Sequence, residues 1–497
     1  MIKKKVVVIG AGLGGISAAA SLASKGYDVE IFEKNSHVGG KLNLLKKDGF
    51  SFDLGPSILT LPHLFQKLFD EAGKKMEDYV SIQPLRPHWR NFFEDGIVID
   101  LTPDMKEMKL SNPTLSNQDI VELEKYLEYS KGLYDFAERG YFKAGLDTLW
   151  EVITFYNPFS LLKSVNIFST LHEKTHKYIS NSYLQTIMDF FIKYVGSSAY
   201  NAPAILGLLA HVQFKYDLWY VDGGLYNLAK GLEKLLLDID VKIHLNSEIV
   251  KLEKNGGKII RALLASGEYV EADIFISDME IIPAYLKLTN EPADFIATYE
   301  KKFEPACSGL VLYLGVDREY PQLAHHNFFF SQNPKEHFRS VFDKKILPDD
   351  PTIYLVAPAR TDKSQAPAGC ENIKILPHIP YLQDKPFTAK DYSDLRDRVL
   401  IKLEKMGLTD LRKHIITEDM WTPEDIEKNY YSNRGAIYGV VSDKKKNLGF
   451  KAPKESTLYK NLYFVGGSVN PGGGMPMAVL SGQQVCDKII KKYGEQK

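Results

Sequence analysis

Cysteine is scarce in this sequence. Only Cys307, Cys370 and Cys486 occur among 497 residues, and they lie far apart. No pair has the short spacing of a metal-binding or redox motif. This argues against a scaffold held together by disulfides, and isolated cysteines are typical of proteins from a reducing compartment.

Long hydrophobic runs are also missing. The apolar run at residues 6–9 is ended by Gly10, well short of a signal sequence or a membrane-spanning segment. The longest uninterrupted apolar stretch, at 202–210, is likewise too short to cross a bilayer. The sequence thus predicts no transmembrane helix.

Charge of one sign is not in excess either. Lys and Arg number 62, Asp and Glu 63, and the formal net charge is −1. Nucleic-acid binding requires a basic excess that displaces counterions, so we expect no nucleic-acid partner. Aromatic residues, in contrast, make up 12%. They indicate either a large apolar ligand or interface, or simply a core rich in Tyr and Phe.

The first forty residues contain a βαβ pattern. A β-branched run at 4–9 precedes a glycine-rich turn, a helix of small residues at 16–23 and a second strand at 27–33 that ends in an acid. This order is the dinucleotide-binding fingerprint. Because the run at 4–9 is apolar without alternation, it is typical of a parallel strand buried on both faces. We therefore predict an α/β fold with a Rossmann-like domain.

The glycines of the turn and the terminal acid have separate roles. Gly10 allows the tight turn, Gly12 lets the backbone approach a pyrophosphate, and Gly15 lets helix and strand pack closely. The helix N-terminus then offers N–H groups and the positive end of its dipole to the phosphates. Glu33 is placed to accept hydrogen bonds from a ribose diol.

Two further glycine-rich segments favour FAD over NAD. Gly39, Gly40 and Lys41 directly follow the second strand, and a buried FAD diphosphate needs such a turn with a cation. Taken alone, this turn could equally be a surface loop. Near the C-terminus, a strand at 461–465 enters another glycine turn and a helix, whose N-terminus can face the flavin or ribityl part. One FAD molecule would thus connect both ends of the chain.

With these motifs, the sequence resembles the FAD-dependent carotenoid desaturases and oxygenases of the phytoene-desaturase type, which are related to the flavin amine oxidases. Segments at 191–198, 323–330, 375–381 and 433–439 carry a closer likeness to the C30 carotenoid enzymes. The resemblance covers essentially the whole chain. It implies a Rossmann-like FAD-binding domain of the flavin amine oxidase and phytoene desaturase type, with an inserted mixed α+β substrate domain.

We expect the FAD-binding domain to be discontinuous. It would comprise residues 1–84, 216–284 and 426–497, and the substrate domain would comprise 85–215 and 285–425.

The resemblance also implies the residues that bind FAD. Many relatives carry an acid where Gly467 stands, so backbone N–H groups must replace that contact here. Ile249 matches a position that packs near the adenine. The expected FAD-binding residues are Gly10, Gly12, Gly14, Gly15, Glu33, Gly40, Lys41, Gly55, Pro56, Ser57, Ile249, Gly466, Gly467, Gly473, Gly474 and Met475.

The activity implied by the resemblance is oxidation of a terminal methyl group of a linear C30 polyene, such as 4,4′-diaponeurosporene, with O₂ as electron acceptor. The product would be an aldehyde, with further oxidation to the carboxylate left open. Desaturation of 4,4′-diapophytoene by hydride abstraction is the alternative, because the FAD motifs are common to both. A non-catalytic prenyl carrier of the same architecture is a third hypothesis. The intact glycine turns argue against it, since a carrier need not hold a flavin.

A linear polyene has no charge to bind, so we expect a long apolar tunnel that ends at the flavin. Aromatic residues of predicted helices at 146–168 and 178–194 could line it, could contact lipid headgroups, or could be ordinary core. They are Trp150, Phe155, Tyr156, Phe159, Phe168, Tyr183, Phe190 and Phe191.

Because the substrate dissolves in lipid, we expect peripheral contact with the inner, cytoplasmic face of the cell membrane. Lys163 and Lys174 would fit such a contact. The lysines at 444–446, with Lys451 and Lys454 nearby, could touch anionic lipid, although a solvated loop is the ordinary explanation.

The catalytic candidates are His325, His326 and Arg434. An imidazole near the flavin could transfer protons during methyl oxidation. Arg434 lies beside a glycine turn with Tyr438, where it could face the flavin or a developing carboxylate. Structural roles remain an open alternative for each residue. Adjacent histidines on a strand point to opposite faces, and we expect no metal site.

Overall fold

The computed structural model describes residues 3–156 and 169–496. Within these ranges the strands are β1 (Lys5–Ile9), β2 (Asp28–Phe32), β3 (Leu44–Lys47), β4 (Phe50–Asp53), β5 (Ile82–Pro84), β6 (Trp89–Phe92), β7 (Val98–Leu101), β8 (Trp219–Val221), β9 (Lys242–His244), β10 (Ile249–Asn255), β11 (Lys258–Leu264), β12 (Tyr269–Glu271), β13 (Ile274–Ser277), β14 (Ser308–Gly309), β15 (Val311–Val316), β16 (His326–Phe329), β17 (Ile353–Val356), β18 (Glu371–Ile379), β19 (Ile415–Trp421) and β20 (Leu462–Phe464).

The α-helices of the same ranges are α1 (Leu13–Ser24), α2 (Pro62–Glu71), α3 (Met105–Ser111), α4 (Asn117–Ala137), α5 (Leu149–Phe155), α6 (Leu171–Tyr178), α7 (Ser182–Phe190), α8 (Leu208–Tyr216), α9 (Tyr226–Asp238), α10 (Ile281–Lys287), α11 (Ala293–Lys302), α12 (Pro334–Phe338), α13 (Ala389–Lys405), α14 (Pro423–Tyr430) and α15 (Met475–Tyr493). Short 3₁₀ or π turns cover Met76–Asp78, Glu138–Ala144, Phe191–Val195, Ala204–Gly207, Arg339–Lys344, Pro358–Arg360, Lys363–Gln365, Leu411–Lys413 and Asn433–Gly435.

A five-stranded parallel sheet forms the centre of the fold. Its strand order is β20-β13-β1-β2-β9. Val6, Val7 and Val8 of β1 are completely buried, because the sheet is covered on both faces. The α/β fold predicted from the sequence is confirmed.

Different secondary-structure elements pack on the two faces of this sheet. Helices α1, α9 and α15 pack on one face, and the three-stranded sheet β10-β11-β12 packs with α10 on the other. The C-terminal helix lies directly against the first one. Ser17 Oγ donates to the carbonyl oxygen of Val479 at 2.6 Å, and a Cβ at Gly482 would lie 2.6 Å from the carbonyl oxygen of Gly14. This packing brings the two glycine turns together.

A second, larger sheet has the order β19-β15-β18-β17-β16-β6-β7, with β14 beside β18. Its neighbours are antiparallel except for β16 and β6. All its strands lie within 85–215 and 285–425, and all strands of the parallel sheet lie within 1–84, 216–284 and 426–497. The division of the chain into two domains at those boundaries stays a prediction.

The predicted aromatic helices differ from the observed ones. Helix α5 ends at Phe155, and Phe159, Lys163 and Phe168 lie outside the described residues. The segment predicted at 178–194 is the short helix α7 followed by a 3₁₀ turn. In the part of the chain that the structure describes, no helix combines the length and the hydrophobicity that crossing a bilayer requires.

Candidate functional site

A cavity of about 340 Å³ opens at the carboxyl ends of the parallel strands. Ile9, Phe32 and Asp278, at or just after the ends of β1, β2 and β13, line one part of it. Tyr313 and Leu376, from the larger sheet, line another. Open parallel α/β sheets bind their ligands at this edge, so the cavity is the candidate site.

Nearly all the residues predicted to bind FAD line the cavity. Every one of them except Gly15 is part of its lining. A Cβ at Gly15 would instead lie 2.3 Å from the carbonyl oxygen of Gly10. Gly15 therefore serves the close packing of α1 on β1 that the sequence predicted. That these residues bind FAD stays a prediction.

Glu33, directly after β2, is held in place by backbone hydrogen bonds. This carboxylate accepts from the backbone N–H of Ala11 at 2.7 Å and of Asn35 at 2.8 Å. Lys41 Nζ donates to Glu280 Oε1 at 3.3 Å and to the carbonyl oxygen of Ala436 at 3.1 Å. Glu33 is thus fixed where β2 ends, and Lys41 links the second glycine turn to two other segments of the cavity.

The glycine turns fit a diphosphate because side chains there would close the groove. A Cβ at Gly12 would lie 2.2 Å from Asp278 Oδ2, and one at Gly14 would lie 2.7 Å from the backbone nitrogen of Gly466. Gly12 also forms a parallel bridge with Gly39. Backbone from all three turns therefore meets in one narrow groove, and these residues suit FAD.

Asp278 is a site residue that the sequence analysis missed. Burial, with a smaller contribution from the charge of Glu33, raises the pKa of its carboxyl to about 7. The backbone N–H groups of Gly15 and Gly12, and the charge of Lys41, act in the opposite direction. The signal available in the sequence was its place directly after a buried strand.

Four of the tyrosines that line the cavity, which we call the aromatic wall, are Tyr194, Tyr313, Tyr354 and Tyr438. Tyr194 Oη donates to Gln213 Oε1 at 2.6 Å, and Tyr313 Oη donates to the carbonyl oxygen of Leu54 at 2.5 Å. Burial raises the pKa of all four hydroxyls. They therefore stay neutral at physiological pH, and the wall carries no charge.

A network behind the wall fixes Tyr194. Gln213 Oε1 also accepts from Trp89 Nε1 at 2.8 Å. Its amide nitrogen lies 3.0 Å from His88 Nδ1, and His88 Nε2 lies 2.9 Å from Asp217 Oδ1. Burial lowers the pKa of His88 to about 4, so the imidazole is neutral in this chain of contacts.

Lys193 lies among the aromatic rings behind the same wall. Its Nζ is 3.3 Å from the ring centre of Trp89 and 3.5 Å from that of Phe328. The rings of Tyr194 and Tyr354 are 5.1 and 5.4 Å away. Among the described residues the amine has no hydrogen-bond partner, and burial lowers its pKa well below the usual value. The sequence signal that could have identified Lys193 was a charged residue within the apolar run 190–195.

Lys374 connects β18 of the larger sheet to the end of β4 and the loop that follows it. Its Nζ donates to the carbonyl oxygens of Asp53, at 2.9 Å, and of Gly55, and to Ser57 Oγ at 2.9 Å. Burial lowers the pKa of Lys374 to about 8, opposed by the charge of Asp53. This lysine, also unforeseen, holds the predicted cofactor loop at 55–57 against β18.

The three catalytic candidates occupy different places. His326 is completely buried and does not line the cavity; its Nδ1 lies 3.0 Å from Oη of Tyr354, which does. His325 Nδ1 lies 2.8 Å from Thr361 Oγ1, and His325 lines a small pocket beside the main cavity, with which that pocket shares Ser57 and Lys374. Burial lowers the pKa of both imidazoles, that of His325 to about 3. Arg434 is not part of the cavity lining; it pairs with Asp384 at 3.0 Å.

The basic segment near 444–454 is only partly a surface feature. Lys451 and Lys454 are buried. Lys451 Nζ donates to Ser442 Oγ at 2.6 Å, and Lys454 forms an ion pair with Asp147. For these two lysines both interpretations, lipid contact and the favoured solvated loop, were wrong, because tertiary packing has covered them.

The fold, the three glycine turns and the cavity at the strand ends define an FAD-dependent oxidoreductase. Residues 13–490 match the family described as flavin containing amine oxidoreductase, and the chain belongs to this family. The chain is 57% identical over 488 residues to a 4,4′-diapolycopene oxygenase of a Methylomonas species, covering 98% of each chain. It is 56% identical over 486 residues to the 4,4′-diaponeurosporene oxygenase of Staphylococcus aureus (strain USA300), again covering 98% of each.

Solved structures share the fold at low sequence identity. An oxidoreductase from Methanosarcina mazei has a TM-score of 0.63 at 16% identity, covering 97% of this chain and 100% of that one. A CLA-producing fatty acid isomerase from P. acnes has a TM-score of 0.61 at 16% identity, covering 99% and 98%. Both share the overall fold of this chain.

Proposed function

We propose that this enzyme oxidises a terminal methyl group of a C30 carotenoid, of the 4,4′-diaponeurosporene type, to an aldehyde. The observation that carries the proposal is the identity of 56–57% with two carotenoid oxygenases over 98% of the chain. The uncharged aromatic wall is consistent with it, since a linear polyene offers only apolar surface. O₂ is the proposed oxidant, because one methyl group and one O₂ balance to one aldehyde and one water.

We propose that the glycine turns, with Glu33, hold FAD along the groove and that the tyrosine wall receives the end of the polyene. Bound FAD would accept electrons, which no side chain can do. The hydrogen bonds of Tyr194 and Tyr313 keep the wall in place. Among the catalytic candidates, His326 is best placed to act, as a positioning residue that orients the Tyr354 hydroxyl.

The test is expression in a host that makes 4,4′-diaponeurosporene, under heavy-isotope O₂, with mass spectrometry of the pigments. The proposal expects products that have lost two hydrogens and gained one labelled oxygen at a chain end. A Gly14→Ala variant, whose new Cβ meets the backbone of Gly466, is the control for flavin dependence. Pigment that loses hydrogen without gaining oxygen would instead establish the desaturase alternative.

We further propose that helix α5 contacts a membrane surface, from which a lipid-soluble substrate enters. None of its residues is buried, and the exposed fractions are 45% for Leu149, 73% for Trp150 and 50% for Phe155. Exposed aromatic and aliphatic side chains on one short helix suit the headgroup layer. We place this contact on the inner face of the cell membrane.

Vesicle sedimentation tests the membrane contact. We expect the Trp150→Glu, Phe155→Glu double variant to lose binding to phospholipid vesicles. Leu110→Glu is the matched control, because Leu110 is 83% exposed on a different helix, α3. Equal binding by the wild type and the double variant would refute the assignment to α5.

A further inference from the structure

Two histidines and one aspartate meet away from the cavity. His172 and His176 are four residues apart on α6, so they share a face of that helix, and Asp189 lies near the end of α7. His172 Nδ1 is 2.7 Å and His176 Nε2 is 3.2 Å from the same oxygen, Asp189 Oδ2. One ligand atom from each residue lies within 4.8 Å of the others.

The carboxylate of this cluster is satisfied at one oxygen only, by the two histidines. Asp189 is 5% exposed, and no lysine or arginine of the described chain forms an ion pair with it. Its second oxygen, Oδ1, is buried without a hydrogen-bond partner in the same part of the chain. A buried charge is unfavourable unless it is paired or bound to a metal. A cation between the three side chains would supply the missing compensation.

We propose that His172, His176 and Asp189 form a zinc site with an open fourth position. Imidazole and carboxylate are ligands that Zn²⁺ accepts, with bonds of about 2.0–2.2 Å. Tetrahedral ligand atoms would then be about 3.3 Å apart. The 3.2 Å separation of His176 and Asp189 already fits, and the 2.7 Å separation of His172 and Asp189 needs a small opening. The side chains of His172 and His176 are 28% and 37% exposed, which leaves access for the metal and a water.

The proposed metal would hold two helices together rather than activate its bound water, because the neighbouring glutamate is engaged elsewhere. Its sequence, His172-Glu173-Lys174-Thr175-His176, has the spacing in which zinc peptidases use the glutamate as a base. Here Glu173 instead forms the capping box of α6, accepting from the backbone N–H of Thr170 at 2.8 Å. With that carboxylate engaged, the metal would cross-link α6 to α7.

This cross-link would lie close in sequence to the segment that carries Tyr194 of the aromatic wall. Asp189 is followed directly by Phe190, which packs on Phe328 at a ring separation of 5.3 Å. The 3₁₀ turn Phe191–Val195, which carries Lys193 and Tyr194, comes next. A metal that fixes the end of α7 would therefore stabilise the segment that forms the wall.

The experiment measures zinc in purified, tag-free protein after reconstitution with Zn²⁺ and dialysis, with Co²⁺ absorption spectra reporting the geometry. We expect one metal ion per chain, tetrahedral ligand-field bands with Co²⁺, and a higher Tm with Zn²⁺ than after chelation. His176→Ala, at a partly exposed position, should weaken binding at least about tenfold, and Asp189→Asn should do the same.

The matched control is His414→Ala. His414 also contacts one aspartate, Asp317, at 2.8 Å, but without a second histidine. This variant should bind zinc like the wild type. The proposal is overturned if the wild type retains no zinc after dialysis, or if His176→Ala and Asp189→Asn bind as tightly as the wild type. Circular dichroism of each variant shows that it has folded.

Discussion

The position of Asp278 predicts that FAD binding depends on pH. Its carboxylate faces the groove between Gly12 and Gly14, beside the proposed diphosphate site, so its negative charge opposes the diphosphate. Burial, its largest influence, raises the pKa of Asp278 to about 7. FAD should therefore bind best when this carboxyl is protonated, below pH 7, and progressively less well as the pH rises through 7.

The size of the effect follows from that pKa. If only the protonated form admits the cofactor, the apparent Kd rises by a factor of one plus ten to the power of pH minus pKa. With a pKa of about 7, this factor is about 1 at pH 6 and about 11 at pH 8. We expect about a tenfold weakening across this range, which corresponds to about 1.4 kcal/mol.

The assay is titration of the apoprotein with FAD, followed by quenching of flavin fluorescence between pH 6 and 8. Asp278→Asn keeps the shape of the side chain but cannot ionise, so its Kd should stay flat and be about tenfold lower than that of the wild type at pH 8. Asp240→Asn is the control. Asp240 is exposed and has a φ of 61°, which asparagine tolerates.

Other groups titrate near this range, and the variant separates their effects from that of Asp278. Burial lowers the pKa of Lys374 to about 8 and that of Lys451 to about 7. A Kd of the wild type that does not change with pH, or a slope that persists in Asp278→Asn, would refute the reasoning.

Three further predictions concern the groove, the wall and a catalytic candidate. Gly14→Ala should lose FAD binding, because its Cβ meets backbone atoms of Gly466. The control Gly132→Ala, at an open position on α4, should bind FAD normally and gain about 0.5–1 kcal/mol of stability. Flavin titration measures the binding of both variants, and urea unfolding measures their stability. Lys193→Met should raise the free energy of unfolding by about 1–2 kcal/mol, because it removes a buried amine without a partner in the described chain, and a loss of stability in urea would contradict this. Arg434→Ala should leave kcat within about twofold of the wild type, because Arg434 does not line the cavity and its ion pair with Asp384 lies at the surface. A tenfold loss of kcat would instead support a catalytic role.

Much of the cofactor site could be predicted because its determinants are local. The βαβ unit, its glycines and Glu33 occur within about thirty residues, a spacing imposed by the dimensions of a strand, a turn and a helix. The same holds for the turn that follows Phe464. Short segments whose backbone must meet a diphosphate leave few alternatives, and glycine is required where a Cβ would fill the groove.

The sequence by itself therefore determined the α/β fold, the dependence on FAD and the place of the groove at the strand ends. Only the tertiary structure decided which polar groups are buried and what they face. Lys193 among aromatic rings, Lys454 on Asp147, and Asp278 against two glycine turns depend on contacts between distant segments. Periodicity and spacing do not encode such contacts, because burial is set by how whole elements pack.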